Sequence, residues 1–174
     1  MVLDALMILV VFIQSLFGGL VLSGSDTSTA LPVNATTTAV VTHIVDGDTI
    51  DVRIGSSSAV TRVRYIGINT PEPYPKNTSK PECGSHEATV ANRQLVEGHT
   101  VSLVTDADAY DPYQRLLAYV YVGDVFINEE LVRRGYATTL AIKPNTRYRN
   151  LFASLRDEAK QNRVGNWDMC PAWH

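Results

Sequence analysis

Short runs in which apolar and polar residues alternate fill the chain from about residue 38 onward. Thr38–Val45 and Thr49–Ile54 are rich in β-branched residues, alternate with a period of two, and are joined by Asp-Gly-Asp at residues 46–48. A Ser-rich turn follows, and the pattern then resumes over Val60–Ile68. The first part of the domain is therefore predicted to be three consecutive strands.

The second half of the pattern adds two strands and three helices. Thr100–Thr105 and Arg115–Val122 are the predicted fourth and fifth strands, and the latter turns back into a short hairpin. Five strands with one helix between the third and fourth, and further helices at the end, predict an α+β fold: a five-stranded antiparallel β-barrel of the OB type. The predicted helices are His86–Val96 with Ser85 as its cap, a short helix capped by Asn128, and Arg147–Arg163.

The N-terminal segment has a different composition. Ala5–Leu22 is uncharged and almost wholly apolar, and its length lies between that of a signal-peptide core and that of a membrane-spanning helix. Residues 1–23 are therefore predicted to be a cleaved signal peptide or a retained membrane anchor, with a buried helix as the remaining alternative. Residues 24–37 are predicted to be a flexible linker and residues 38–174 the folded domain, which is then secreted or anchored outside the cytoplasm.

Composition narrows the choice of partners and of cross-links. The net charge of −3 and pI of about 5.8 provide no general attraction to nucleic acid, so such a partner requires a local basic patch.

An even number of cysteines in an exported chain favours one disulfide between Cys83 and Cys170, and two unrelated thiols are the alternative. Neither cysteine has the paired spacing of a zinc site.

Acidic residues cluster where the second strand begins. Asp48 has the strand parity of Ile50 and Val52, which form the predicted buried face, and a buried carboxylate needs a partner or a cation. Asp46 and Asp51 are interpreted as solvated turn or surface charges.

The loop after the third strand supplies three further oxygen donors. Asn69, Thr70 and Glu72 lie on a loop that is stiffened by prolines at positions 71 and 73. A site made only of oxygen ligands favours Ca²⁺ or Mg²⁺. The alternative is that Asp48 and Asn69 form only hydrogen bonds within turns.

Two arginines lie in strands that are otherwise apolar. Arg64 and Arg115 are suited to bidentate contacts with phosphate, although pairing with a carboxylate is the commoner fate of a single arginine. Tyr113 precedes Arg115 by two residues. It either stacks on a nucleic-acid base or closes a pocket, or else it is a core tyrosine with one polar contact.

Several of these motifs occur together in a known family. The segments VDGDTIDV, TRVRYIGINTPE, DPYQRLLAYVYV, INEELVRRGYA and KPN resemble the thermonuclease (staphylococcal nuclease-like) family in order and spacing, from Thr38 to about Trp167. The resemblance implies an OB-fold barrel with three helices and a Ca²⁺-dependent phosphodiesterase. It also implies a monomer that cuts DNA and RNA, with single-stranded or unpaired regions preferred.

The resemblance assigns a role to each candidate residue. Asp48, Asn69 and the carbonyl of Thr70 correspond to ligands of one Ca²⁺ ion. The other correspondences are Glu72 as the general base for the attacking water, Arg64 and Arg115 as the clamp on the phosphate, and Tyr113 in the nucleotide pocket.

The chain also departs from that family at the metal site and in the nucleotide pocket. Asn69 replaces an aspartate, which is expected to weaken calcium binding. Leu140 and Ile142 replace tyrosines before Lys-Pro-Asn, which removes part of a stacking platform.

Two other functions are compatible with the same fold. One is a non-catalytic nucleic-acid-binding module, and the other is a structural or interaction domain. The joint presence of Asp48, Arg64, Glu72 and Arg115 favours the enzyme, because binding alone requires no positioned base.

Overall fold

The computed structural model describes residues 31–76, 79–171 and 173. The predicted signal or anchor and the first part of the predicted linker lie outside these residues. Among the helices in the described ranges, none combines the length and apolar character needed to cross a membrane.

The described residues form eight strands and four helices. The strands are β1 (Thr36–Ile44), β2 (Thr49–Ile54), β3 (Val60–Tyr65), β4 (Gly67–Asn69), β5 (Thr100–Val104), β6 (Leu116–Val122), β7 (Val125–Phe126) and β8 (Thr138–Leu140). The helices are α1 (Ser85–Val96), α2 (Ile127–Arg133), α3 (Arg149–Gln161) and α4 (Asn166–Met169).

Five of the strands close into a barrel. They pair in the order β3-β2-β1-β5-β6 through antiparallel ladders, and β3 also pairs with β6 in parallel. The predicted OB-type barrel is confirmed, with a parallel closing pair in place of an antiparallel one. Alternate side chains of these strands point inward and are fully buried, among them Ile50, Val52, Val63, Val101, Leu103, Leu116, Ala118 and Val120.

The first strand begins two residues before the predicted domain. Thr36 and Thr37 pair with Val104 and Leu103 of β5, so the backbone of both threonines belongs to the sheet. The predicted linker therefore ends two residues too late, because amino-acid composition gives no information about sheet pairing.

The prediction of one continuous strand over Val60–Ile68 is wrong. The chain leaves the barrel after Tyr65, and Gly67 has a φ of 82°, which favours glycine. A Cβ on Gly67 would lie 2.7 Å from the ring of Phe152, so this close approach also requires glycine. Beyond the break, β4, which contains Asn69, pairs with β8 in a separate two-stranded sheet.

Both predicted helix caps are wrong. Gly84 precedes α1 with a φ of 82°, and Ser85 is already its first helical residue. Asn128 lies inside α2 and is fully buried. Its side chain accepts a hydrogen bond from the Val120 N–H and donates one to the Ile66 carbonyl, both at 2.9 Å, so it joins β6 to the break after β3.

The C-terminal part of the chain contains a helix that the pattern does not predict. α3 ends at Gln161, two residues before the predicted end, and α4 follows after Gly165. α4 spans only four residues, too few for an apolar periodicity to be recognised. Cys170 follows α4 and forms a disulfide with Cys83.

Candidate active site

The buried carboxylate of Asp48 is the centre of the site. The residue is only 1% exposed. Its Oδ2 accepts hydrogen bonds from the N–H and the hydroxyl of Thr70, at 2.7 and 3.1 Å, and its Oδ1 accepts one from the Thr49 hydroxyl at 3.1 Å. The Arg64 guanidinium lies 2.9 Å from Oδ2 and supplies the compensating charge. These partners account for the burial of a carboxylate in an apolar barrel.

The glycine between Asp46 and Asp48 makes this arrangement possible. Gly47 is buried, and a Cβ on it would lie 2.6 Å from the Thr70 hydroxyl and 2.8 Å from the Ala88 methyl group. The turn at residues 46–48 therefore presses its backbone against the Thr70 loop and α1. Any larger residue would separate Asp48 from Thr70.

Asp46 is part of the same acidic cluster, so its interpretation as a solvated charge is wrong. Its carboxylate accepts a hydrogen bond of 3.0 Å from the Asp48 N–H. Its carbonyl accepts one of 2.8 Å from the buried Asn92 of α1, which also bonds the Tyr65 hydroxyl. Burial, reinforced by the negative charge of Asp48, raises the pKa of Asp46 to about 7. Two carboxylates are thus held close enough to repel each other.

Arg64 connects Asp48 to the β4 segment. The residue is 8% exposed. Its Nη1 contacts Asp48 and donates to the carbonyls of Tyr65 and Ile68 at 3.2 and 3.1 Å, and its Nη2 donates to Asn69 Oδ1 at 2.9 Å. Arg64 therefore both neutralises Asp48 and fixes the chain beyond the strand break.

Glu72 lies at the edge of this cluster and is exposed. Partial burial of its carboxyl raises the pKa of Glu72, the charge of Asp48 raises it further, and Arg64 and Arg115 oppose the shift. The Glu72 N–H donates to the Glu82 carboxylate at 2.8 Å.

Arg115 reaches the site from the loop before β6. Its Nε donates to Asp111 Oδ2 at 2.6 Å, and the other oxygen of Asp111 accepts the N–H groups of Tyr113 and Arg115 at 2.9 Å. Tyr113 is 71% exposed, which excludes the core interpretation. The Lys76 ammonium and the Arg115 guanidinium lie 5.2 and 5.7 Å from its ring centre, within cation–π range.

A cavity of about 360 Å³ lies between the two arginines. Arg64 and Arg115 both line it, together with Leu140 and Ile142 on an apolar wall. Tyr113 instead contacts an adjoining surface depression that it shares with Arg115. The structure therefore brings the two arginines to one cavity and leaves the tyrosine at its side.

The cavity wall is fixed by one asparagine. Asn145, of the sequence Lys-Pro-Asn, is buried, and its side chain bonds both backbone groups of Asp108 at 2.8 Å. These bonds join the loop after β8 to the loop after β5. The resemblance to a known family indicated this triplet, but the pattern of the sequence offers no signal for its partner.

The oxygen atoms near Asp48 form a candidate metal site. Within the described ranges, no group of three or more His, Cys, Asp or Glu side chains is placed to hold a metal ion. The candidate donors are the carboxylates of Asp46 and Asp48, the carbonyl of Thr70, and the amide oxygen of Asn69, which accepts a hydrogen bond from Arg64 at 2.9 Å. The Asn69 amide already donates to that carbonyl at 3.3 Å. A donor set of oxygen only fits a hard cation such as Ca²⁺, and the repulsion between the carboxylates favours one.

Comparison with known proteins identifies the family. The family model described as staphylococcal nuclease homologue matches residues 62–169, more than half of the chain. A thermonuclease of Staphylococcus intermedius is 34% identical over 128 residues, which are 74% of this chain and 74% of that protein.

Two relatives from Bacillus subtilis (strain 168) extend the comparison. The SPbeta prophage-derived endonuclease YokF is 38% identical over 71% of this chain and 41% of its own length. Endonuclease YncB is 35% identical over 71% of this chain and 58% of its own length. With its barrel and a family match over most of its folded part, the chain belongs to the staphylococcal nuclease homologue family.

Proposed function

We propose that the protein is a nuclease, a hydrolase that cleaves phosphodiester bonds in DNA and RNA with the help of one Ca²⁺ ion. The observation that carries this proposal is the cavity lined by both Arg64 and Arg115. The carboxylate of Glu72 stands under the electrostatic influence of both arginines. Relatives named thermonuclease and endonuclease support the same reaction.

The proposed calcium ligands are Asp48, Asn69 and the carbonyl of Thr70, with Asp46 adding negative charge beside them. The ion, when bound, neutralises charge on the scissile phosphate and polarises its P–O bonds. Asp48 is positioned for this role by the hydrogen bonds from Thr70, which fix its buried carboxylate.

In the proposed reaction Glu72 accepts a proton from a water molecule, whose oxygen forms a bond to phosphorus. One ester P–O bond breaks, and the leaving oxygen takes a proton from solvent to give a hydroxyl and a phosphate monoester. The raised pKa of Glu72 makes this carboxylate a stronger base. Arg64 and Arg115 stabilise the additional negative charge on the phosphate oxygens, which is usually the largest catalytic contribution.

The proposed substrate is single-stranded or unpaired nucleic acid. The exposed ring of Tyr113 can stack only on a base that is not enclosed in a duplex. Lys76 and Arg115, both within cation–π range of that ring, supply the local positive charge that the net charge of the chain lacks. We further propose that the domain acts as a monomer outside the cytoplasm, which suits the Cys83–Cys170 disulfide.

A nuclease assay with the full chain tests the proposal. Fluorescently labelled single-stranded DNA and RNA are expected to be cleaved in Ca²⁺ and left intact after a chelator is added. The Glu72→Gln variant should lose turnover by roughly 10²- to 10⁴-fold without loss of thermal stability, because it removes only the base.

A matched control is Glu97→Gln, at the exposed residue directly after α1, which should keep full activity. Undiminished calcium-dependent cleavage by Glu72→Gln would disprove the base assignment. Salt-sensitive binding without cleavage under any divalent ion would instead favour the non-catalytic binding module.

A further inference from the structure

One residue holds both backbone groups of Glu72. The Glu72 N–H donates to the Glu82 carboxylate at 2.8 Å, and the Glu72 carbonyl accepts from the Glu82 N–H at 3.0 Å. These reciprocal bonds join the backbone of Glu72 directly to Glu82. Glu72 is exposed and lies outside the strands and helices, and beyond the buried Pro71 that precedes it the hydrogen bonds to its backbone come from Glu82. Its position therefore depends on Glu82.

The position of Glu82 is fixed in turn by the residues that follow it. Cys83 forms the disulfide with Cys170, directly after α4. Gly84 packs so closely on α4 that a Cβ would lie 2.4 Å from the Asn166 side chain. The Gly84 carbonyl also accepts a hydrogen bond of 3.4 Å from the Asn166 amide. Residues 82–84 are thus joined to α4 by a covalent bond and by close contact.

α4 is itself anchored to the body of the domain. The Asn166 N–H donates to the Gly135 carbonyl at 3.0 Å, in the turn after α2. A Cβ on Gly135 would lie 2.0 Å from the Val164 carbonyl oxygen, so the two chain segments are in direct backbone contact. A continuous chain of contacts therefore runs from α2 through α4 and the disulfide to Glu82 and Glu72.

We propose that Glu82 is a positioning residue for Glu72, and that the Cys83–Cys170 disulfide holds Glu82 in place, so that turnover requires the oxidised disulfide. The inference rests on the proposed role of Glu72 as the base. A displacement of about 1 Å in a reacting group can reduce turnover by roughly 100-fold. A dithiol reductant that converts the disulfide into two thiols, and is itself oxidised to a disulfide, is then an inhibitor.

Substitution at Glu82 separates positioning from charge. Glu82→Ala removes the acceptor for the Glu72 N–H and is expected to lower kcat by roughly 10- to 100-fold, with KM and the melting temperature nearly unchanged. Glu82→Gln keeps an acceptor oxygen and should retain most of the turnover. The control Glu97→Ala alters the exposed glutamate directly after α1 and should have no effect. Equal kcat in Glu82→Ala and the unaltered chain would overturn the inference.

A second pair of measurements tests the disulfide. The double variant Cys83→Ser with Cys170→Ser, assayed well below its melting temperature, should show a similar fall in kcat, and a dithiol should inhibit only the unaltered chain. Full turnover of the folded double variant would overturn the role of the disulfide.

Amide hydrogen exchange at Glu72 provides a readout that does not depend on activity. The Glu72 amide should exchange at least tenfold faster in Glu82→Ala and in the double cysteine variant, because its acceptor is lost or displaced. Unchanged exchange would overturn the inference even if the unaltered chain cleaved nothing. Absence of cleavage by the unaltered chain would count against the proposed nuclease function alone.

Discussion

The two arginines that line the cavity stand in different surroundings. Arg64 is 8% exposed and contacts Asp48, two backbone carbonyls and Asn69. Arg115 has a side chain that is 32% exposed, and it forms an ion pair with Asp111. The sequence places both residues at the start of, or within, apolar strands, where they look equivalent.

This difference in surroundings indicates that Arg64 helps to build the site, whereas Arg115 is available to bind substrate. Arg64 compensates a buried carboxylate, so the fold depends on it before any substrate arrives. Arg115 lies on a loop, and its partner Asp111 also accepts two backbone N–H groups, so Arg115 can turn to a phosphate without leaving that carboxylate unbonded. We therefore expect substitution of Arg64 to affect stability as well as chemistry, and substitution of Arg115 to affect chemistry alone.

The largest effect is expected from Arg64→Ala. Its removal leaves the Asp48 carboxylate buried without a cation and should lower the free energy of unfolding by about 4 kcal/mol, measured by urea denaturation in the presence of a chelator. Arg62→Ala is the matched control on the same strand. Its guanidinium pairs with Asp51 but is half exposed, so the loss should be below about 1 kcal/mol. Equal losses in the two variants would contradict the distinction.

Arg115→Ala is expected to have the opposite effect, with a large loss of kcat and little loss of stability. Loss of one preorganised donor to the phosphate typically costs about 3 kcal/mol of transition-state stabilisation, so kcat should fall roughly 10²-fold. The melting temperature should remain within about 2 °C, because the Asp111 carboxylate keeps its hydrogen bonds from two backbone N–H groups. Arg93→Ala on α1 is the control for a general loss of positive charge. A large loss of stability in Arg115→Ala would show that both arginines are structural.

The sequence predicted the barrel well because its strands obey local alternation. β2 has the predicted bounds, Thr49–Ile54, and buries Ile50 and Val52 as expected. Prediction failed where backbone geometry overrides alternation. Gly67 breaks an apparently continuous strand, and the parity rule does not extend through the turn that holds Asp46. The Asp-Gly-Asp spacing was the signal that could have indicated Asp46.

Contacts distant in sequence are the other part that could not be predicted. Asn128 reads as a helix cap because its local sequence suits one, yet its side chain joins β6 to the break after β3. Glu82 lies in a proline-rich loop with no periodicity, and its bonds to Glu72 become visible only in three dimensions. Local sequence pattern therefore identified most of the chemical groups of the site. The tertiary structure was needed to show which side chains position other residues by hydrogen bonds.

The Asn69→Asp variant tests the proposed calcium site beside Arg64. The new carboxylate keeps the acceptor for Arg64 Nη2 and adds a negative charge to the proposed calcium site. Calcium affinity, measured by calorimetry, should increase roughly tenfold, which is about 1.4 kcal/mol. Asn69→Ala is the counterpart and should weaken binding. Equal affinity in all three chains would place the ion elsewhere.

Tyr113→Ala gives the smallest expected effect and tests the Arg115 side. Tyr113 is 71% exposed, so its loss should leave the free energy of unfolding unchanged. Loss of stacking on one base should raise KM for single-stranded DNA by roughly five- to tenfold, or about 1 kcal/mol, while kcat stays nearly constant. Tyr74→Ala, at a ring that is 90% exposed, should leave both constants unchanged. If Tyr113→Ala lowered kcat and left KM unchanged, the ring would be positioning Arg115 rather than binding a base. The surroundings of Arg115 would then be as preorganised as those of the buried Arg64.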